Sequence, residues 1–175
     1  IDAQYNLAIC MLGLRSYDRA LIWVQWAQNE LVRSQRPVTT DILLLEAVIL
    51  YRTGRPDDAW QISDRILVAP ERPPAAVERK TYFLRGLIAD QRGDTDQLGR
   101  ESSALEKFDD RGGRADRDEL TGRLAMAGGN WDAAIEVFDR TAKLRREERD
   151  YAEMSQALAL SADACERAGK PGAAA

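Results

Sequence analysis

A short pattern of residues recurs at nearly constant intervals and constrains the fold of this chain more than any other feature. The pattern is a Gly or Arg, a polar residue, a turn residue, an Asp, one variable position and a small or apolar residue. Its successive intervals are 39, 39, 36 and 40 residues, and the last copy lacks the Asp. The copies begin at Arg15, Gly54, Gly93, Gly129 and Gly169. Such a period is typical of repeat architectures, so we expect an array of similar units.

Each copy is predicted to be a turn between two antiparallel helices. A Gly just past a helix end favours the left-handed backbone, and Ser16, Asp94 and Asn130 then occupy the N-cap of the next helix. Pro56 and Pro171 follow at the first helical position, where a missing N–H costs nothing. A small residue seven positions before each copy would let the first helix approach its partner closely. These small residues are Ala8, Ala47, Gly86, Gly122 and Ala162.

The pattern predicts an all-α fold, because no alternating β-branched runs flanked by hairpin turns occur. First helices are predicted near 2–13, 41–53, 75–92, 116–128 and 149–168. Second helices are predicted near 17–34, 56–69, 95–108 and 131–147. Connections between pairs are expected at 35–40, at the proline-rich 70–74, and at 109–115, which contains Gly112-Gly113.

These residues resemble the tetratricopeptide repeat family. The resemblance rests on the small residue of the first helix, the Gly at its end, the aromatic or proline residue that begins the second helix, and the Ala three positions later. Leu98 replaces that Ala in the third copy, and the spacing exceeds the family period of roughly 34 residues. The resemblance implies one α-solenoid over 1–175, with four repeats plus the first helix of a fifth. The repeat bounds are near 1–36, 40–71, 75–109, 115–147 and, for the partial repeat, 149–175.

The chain is expected to be a piece of a longer repeat protein. It stops where the second helix of the fifth repeat is due, and a terminal repeat needs a polar closing face. It starts at Ile1 and shows no signal-peptide progression, so the sequence leaves localisation open.

Composition narrows the functional classes. Acidic residues number 29 against 25 basic ones, which argues against nucleic acid as the partner. Histidine is absent, which excludes Ser/His/Asp and Cys/His catalysis and metal sites that need imidazole. The densest apolar run, 42–51, is about half as long as a bilayer crossing requires. We predict no catalytic site, metal, cofactor or membrane-spanning segment.

The resemblance implies binding of a protein or peptide, usually on a concave surface lined by first helices. The family's carboxylate clamp needs Lys, Arg and Asn at set positions, and only Asn6, Lys80 and Arg123 approach that pattern, so a clamp is not predicted. Helical spacing instead places an apolar stripe on the first helices, suited to an extended or helical segment. The stripe consists of Tyr5, Ile9, Leu12, Leu44, Val48, Tyr51, Phe83 and Leu87. The alternative is that these residues are core shared between neighbouring helices.

The predicted function is a non-catalytic scaffold that binds another protein. One alternative is a regulatory or sensor module that docks within a larger signalling or transcription protein. A second is a helical enzyme whose carboxylates meet in one cleft, although adjacent pairs such as Asp118-Glu119 point about 100° apart on a helix. Homo-oligomerisation also fits, because a cut solenoid leaves open ends.

Two further features lie on predicted second helices. Trp26 falls on a different helical face from Trp23, which makes it a candidate exposed anchor. The basic cluster around Arg140, Arg145 and Arg149 is interrupted by acidic residues. It is therefore interpreted as a solvated helix with i, i+4 ion pairs rather than a phosphate site.

Overall fold

In the computed structural model, which describes residues 2–170, the chain folds into helices joined by short turns. The α-helices are α1 (Asp2–Gly13), α2 (Tyr17–Arg33), α3 (Thr40–Arg52), α4 (Pro56–Leu67), α5 (Ala75–Arg92), α6 (Thr95–Ala104), α7 (Arg111–Ala127), α8 (Trp131–Glu147) and α9 (Tyr151–Arg167). A 3₁₀ turn, Leu105–Lys107, follows α6. No strand occurs within residues 2–170, and none of the helices there is long and apolar enough to span a bilayer. The predicted all-α class is confirmed.

The turns between helices use the predicted backbone chemistry. The glycines past the helix ends have positive φ angles, and Arg15 adopts the same conformation with φ 55°. Asp94 and Asn130 cap the next helices by accepting backbone N–H groups, whereas Ser16 stands at its N-cap without a side-chain hydrogen bond. Pro56 is the first residue of α4, as expected. The positive-φ glycines are Gly54, Gly93, Gly129 and Gly169.

The start of α7 differs from the prediction. We expected a connection over 109–115, but the helix begins at Arg111 because the Asp110 carboxylate accepts the Gly113 N–H at 2.6 Å and caps it. Gly112 and Gly113 are buried, and a Cβ on Gly113 would lie 2.1 Å from the backbone oxygen of Phe108. The predicted loop is therefore wrong over 111–115, because Asp110 caps a helix there and Gly113 allows the backbone of Phe108, five residues earlier, to approach closely.

The described residues form two compact units, divided between Leu84 and Arg85 within α5. In unit 1, α1 pairs with α2, α3 pairs with α4, and α2 packs on α3. The buried residues of α2 recur every three or four positions, so one face of that helix enters the core. The core cluster of α1, α2 and α3 consists of Ala8, Ala20, Val24, Ala27, Leu31, Ile42, Leu45 and Ile49.

In unit 2, α7 packs on α6 and α8, and α8 packs on α9. Helices approach closely where a residue lacks a side chain. A Cβ on Gly86 would lie 2.3 Å from a methyl of Leu120, and one on Gly122 would lie 2.6 Å from the ring of Phe138. Ala162, the corresponding residue of α9, is only partly buried. The turn residues 171–175 of the fifth copy, including Pro171, lie outside the described residues.

We expect Gly113→Ala to destabilise the chain by about 1–3 kcal/mol, because the added methyl meets backbone that cannot easily move. The matched control is Gly99→Ala in α6, where a Cβ has its nearest neighbour at 4.0 Å. There the better helix propensity of Ala should stabilise the chain by up to about 1 kcal/mol. Urea unfolding followed by circular dichroism measures both. Equal changes in the two variants would contradict the packing role of Gly113.

Candidate functional site

Six residues of the predicted stripe lie on neighbouring helices of unit 1. Each helix contributes three of them at spacing i, i+4, i+7, which places each triplet on one helical face. Helices α1 and α3 contact each other directly. Ile9 exposes 43% of its surface, and the other five residues are partly buried. The triplets are Tyr5, Ile9 and Leu12 on α1, and Leu44, Val48 and Tyr51 on α3.

On α3 the stripe runs between two rows of core residues. One row belongs to the cluster with α1 and α2 and consists of Ile42, Leu45 and Ile49. The row on the other side of the stripe consists of Leu43, Ala47 and Leu50, all buried. The stripe residues of α3 therefore lie on a partly open face between two packed flanks, and the exposed Asp41 and Arg52 border the same face.

Phe83 and Leu87 differ from the other six stripe residues. Both lie on α5 and each exposes only 7% of its surface. Phe83 belongs to unit 1 and Leu87 to unit 2, and the ammonium of Lys80 lies 5.2 Å from the centre of the Phe83 ring. Their burial favours the core interpretation for these two residues.

A cavity of about 290 Å³ adjoins the stripe at Tyr5. Burial, and secondarily the carboxylate of Asp41, raise the pKa of the Tyr5 phenol. The phenol therefore remains a hydrogen-bond donor at neutral pH. The cavity is lined by Asp2, Tyr5, Leu31, Arg36, Thr39, Asp41 and Ile42. The cavity therefore places two carboxylates and one guanidinium next to the apolar stripe.

Unit 2 contains a buried ion pair where the sequence predicted solvated charges. Arg145 exposes 1% of its surface, and its guanidinium donates to the carboxylate of the fully buried Asp116. The prediction of a solvated basic cluster is wrong for Arg145. Its buried partner stands 29 residues earlier, on α7, and the local charge pattern does not reveal it. Arg145 also lies 3.4 Å from the carboxylate of Glu148, one turn later in the sequence.

Arg123 ties α5 to α7 through two carboxylates. Its guanidinium donates to Asp90 Oδ2 at 2.8 Å and to Glu119 Oε1 at 2.9 Å. From α9, Gln156 donates to the same Glu119 oxygen at 3.3 Å. Within residues 2–170 the second oxygen, Glu119 Oε2, is buried and accepts no hydrogen bond. The side chains therefore form an ionic network that joins three helices of unit 2.

Sequence reasoning missed this network, although the repeat intervals point to it. Counting forward from Tyr5 by 39, 39 and 36 residues reaches Glu119, and the same count from Ile9 reaches Arg123. Two of the three stripe positions of the first copy are therefore occupied by charged residues in the fourth copy, and the third, equivalent to Leu12, holds Met126. Aligning the copies position by position would have shown the change from apolar to ionic.

The buried carboxylates of α7 each have their own arginine. Asp118 accepts from Arg140 at 2.7 Å, whereas the adjacent Glu119 accepts from Arg123, so the two carboxylates have separate partners, as helical geometry predicts. Paired in this way, they resemble structural ion pairs more than a catalytic acid and base. Among residues 2–170, no group of three His, Cys, Asp or Glu side chains is placed to hold a metal ion.

The helices pack as successive pairs, and this pairing places the chain in the class of helical-repeat proteins. Residues 120–175 match the family model of the tetratricopeptide repeat. This match confirms the predicted resemblance and supports the tetratricopeptide repeat family and an all-α solenoid of helix pairs. Such repeats are generally protein–protein interaction modules and typically non-catalytic scaffolds. A search of curated proteins found no match to the chain.

Asp116→Asn should cost about 3 kcal/mol of unfolding free energy, because it removes the buried carboxylate that pairs with the buried Arg145 and leaves only the longer contact with Glu148. Asp132→Asn is the matched control, since it breaks an ion pair with Lys170 that lies in solvent. Little or no change is expected there. Chemical unfolding of both variants measures the difference. A similar loss in the two would contradict the structural role of the buried pair.

The free energy of unfolding should depend on pH through the titration of Glu119. Burial raises its pKa above the ordinary 4.5, and Arg123 opposes the shift without cancelling it. Between the ordinary and the raised pKa the folded chain holds more protons than the unfolded chain, so the free energy of unfolding falls as pH rises through that window. The free energy of unfolding of the wild type, minus that of Glu119→Gln, should therefore be larger near pH 5 than near pH 8.

The pH prediction is checked by urea unfolding of both proteins across that range. Glu106→Gln, at an exposed position, is the control and should parallel the wild type away from the acid limb. If wild type and Glu119→Gln changed in parallel with pH, Glu119 would not titrate as described.

Proposed function

We propose that this chain is a non-catalytic scaffold that captures an extended or helical segment of a partner protein along the stripe of α1 and α3. One observation carries the proposal: six apolar side chains at helical spacing stay partly exposed on the neighbouring helices α1 and α3, and on α3 the residues on both flanks of the stripe are core. Removing such a row from water on binding is favourable, at roughly 25 cal/mol per Å² of apolar surface.

The cavity at Tyr5 supplies polar contacts at one end of the stripe. Asp2 and Asp41 offer acceptors there, and Tyr5 and Arg36 offer donors. A bound segment would bury apolar side chains along the strip and direct polar groups into this cavity. Apolar contact then provides affinity, while the polar end fixes the direction of the segment.

The proposal can be tested with Ile9→Glu. Ile9 lies on the stripe and is partly exposed, so a carboxylate there should leave the fold intact while placing a charge against the bound segment. Leu14→Glu is the control, because Leu14 is 73% exposed and lies past the end of α1.

Peptides selected from a displayed random library on the wild-type chain serve as the probe. Fluorescence anisotropy with the best of these peptides should show at least about tenfold weaker binding to Ile9→Glu, and near wild-type binding to Leu14→Glu. Circular dichroism melting verifies that both variants are folded. Equal binding to the wild type and Ile9→Glu would overturn the proposed site.

A further inference from the structure

Helix α2 carries an apolar pair that faces water. Ile22 exposes 50% of its surface and Trp26 exposes 59%, and the two lie one turn apart on the same face. The core face of α2 is about 150° around the helix from this pair. Trp23 meets Trp26 edge to face, with ring centres 5.4 Å apart, and so helps to orient the exposed indole.

The stacking of repeats does not explain this pair. The corresponding positions are Gln61 and Arg65 in the second copy, and Glu136 and Arg140 in the fourth. All four are exposed, so the position faces solvent where a preceding copy is present as well. The first copy alone places two large apolar residues there, which marks a docking surface for something other than a neighbouring repeat.

Charges flank the apolar pair in a self-complementary order. Arg19 precedes Ile22 by three residues, Glu30 follows Trp26 by four, and both are exposed on the same face of α2. Within residues 2–170 neither forms an ion pair. Between Arg19 and Glu30 the face presents a charge, two apolar residues and the opposite charge when read from either end, and the exposed Arg33 follows one turn beyond Glu30. An antiparallel copy of α2 therefore matches it, whereas a parallel copy would set like charges together.

A cavity of about 370 Å³ lies beside Trp26, at the C-terminal half of this face. It is lined by Gln4, Trp26, Asn29, Glu30 and Arg33. The side-chain oxygen of Gln4 is buried and accepts no hydrogen bond within residues 2–170. An occupant that brings an apolar group together with N–H donors fits this lining, and the N-terminal half of α2 carries both in Ile22 and Arg19.

We propose that two copies of this chain associate through α2, packed antiparallel about a twofold axis. Ile22 of each copy lies against Trp26 of the other, and Arg19 of each copy pairs with Glu30 of the other. Such a contact is isologous, because the same patch serves both copies and no further copy can add to it. This face is separate from the stripe on α1 and α3, so the dimer is independent of the proposed peptide site.

Sedimentation equilibrium of the whole chain tests the proposal. The wild type should show a monomer–dimer equilibrium, with a dissociation constant between about 1 μM and 1 mM for a contact of this size. The variant I22Q/W26R installs the residues of the second copy at the same positions and should weaken the dimer at least about tenfold. Val68→Gln, at a residue 78% exposed beyond the end of α4, should leave it unchanged.

A charge exchange tests the antiparallel geometry without touching the apolar pair. R19E and E30R should each weaken the dimer, because each sets like charges opposite one another. The double variant R19E/E30R should restore it, since the pairs re-form with reversed sign. Because these substitutions are on the surface, they test the proposed dimer even if circular dichroism shows that I22Q/W26R does not fold.

Three results would overturn the proposal. A wild type that is monomeric up to about 1 mM would leave this face to a different partner. A dimer equally strong in folded I22Q/W26R would place the contact elsewhere. Loss of the dimer in both single charge variants without rescue in the double variant would exclude the antiparallel arrangement.

Discussion

The fold depends on how closely its helices approach one another at a residue with little or no side chain. Ala8 and Ala47 are fully buried, and at Gly86 and Gly122 the partner side chain occupies the space that a Cβ would need. Interiors are close-packed, so this contact fixes where the other residues of each helix lie. On α3 the consequence is direct: with core residues on both flanks, Leu44, Val48 and Tyr51 lie on a face that packing covers only in part.

The two units use equivalent helix positions for different chemistry. In unit 1 these positions carry aliphatic and aromatic side chains that remain partly open to water. In unit 2 they carry Glu119 and Arg123, which are tied to each other and to Asp90 by charged hydrogen bonds. A repeat frame specifies where a side chain stands but not what it does there.

The sequence was sufficient for the helices because their signals are local. Positive-φ glycines, N-cap residues and the apolar period all act within a few neighbours, and the predicted bounds agree with the observed ones except near 109–115. There Gly113 looks like a turn residue, yet its role is set by contact with Phe108. Arg145 looks like a surface charge, yet its partner is Asp116 on another helix. The error at Arg145 arises from a contact between helices, which the period does not encode, whereas the error at 109–115 arises from a local cap and a local close contact that the glycine pair conceals.

Chains built from look-alike segments risk assembling with the wrong neighbour. The pair of Asp116 and Arg145 reduces that risk, because it is unique to the fourth copy: the positions equivalent to Arg145 hold Leu31, Pro70 and Asp109 in the three earlier copies. If a second helix from any of those copies replaced α8, the buried Asp116 carboxylate would lose its ion pair with Arg145, a penalty of several kcal/mol. The buried ion pair therefore favours packing of α7 against its own second helix over packing against the second helix of another repeat.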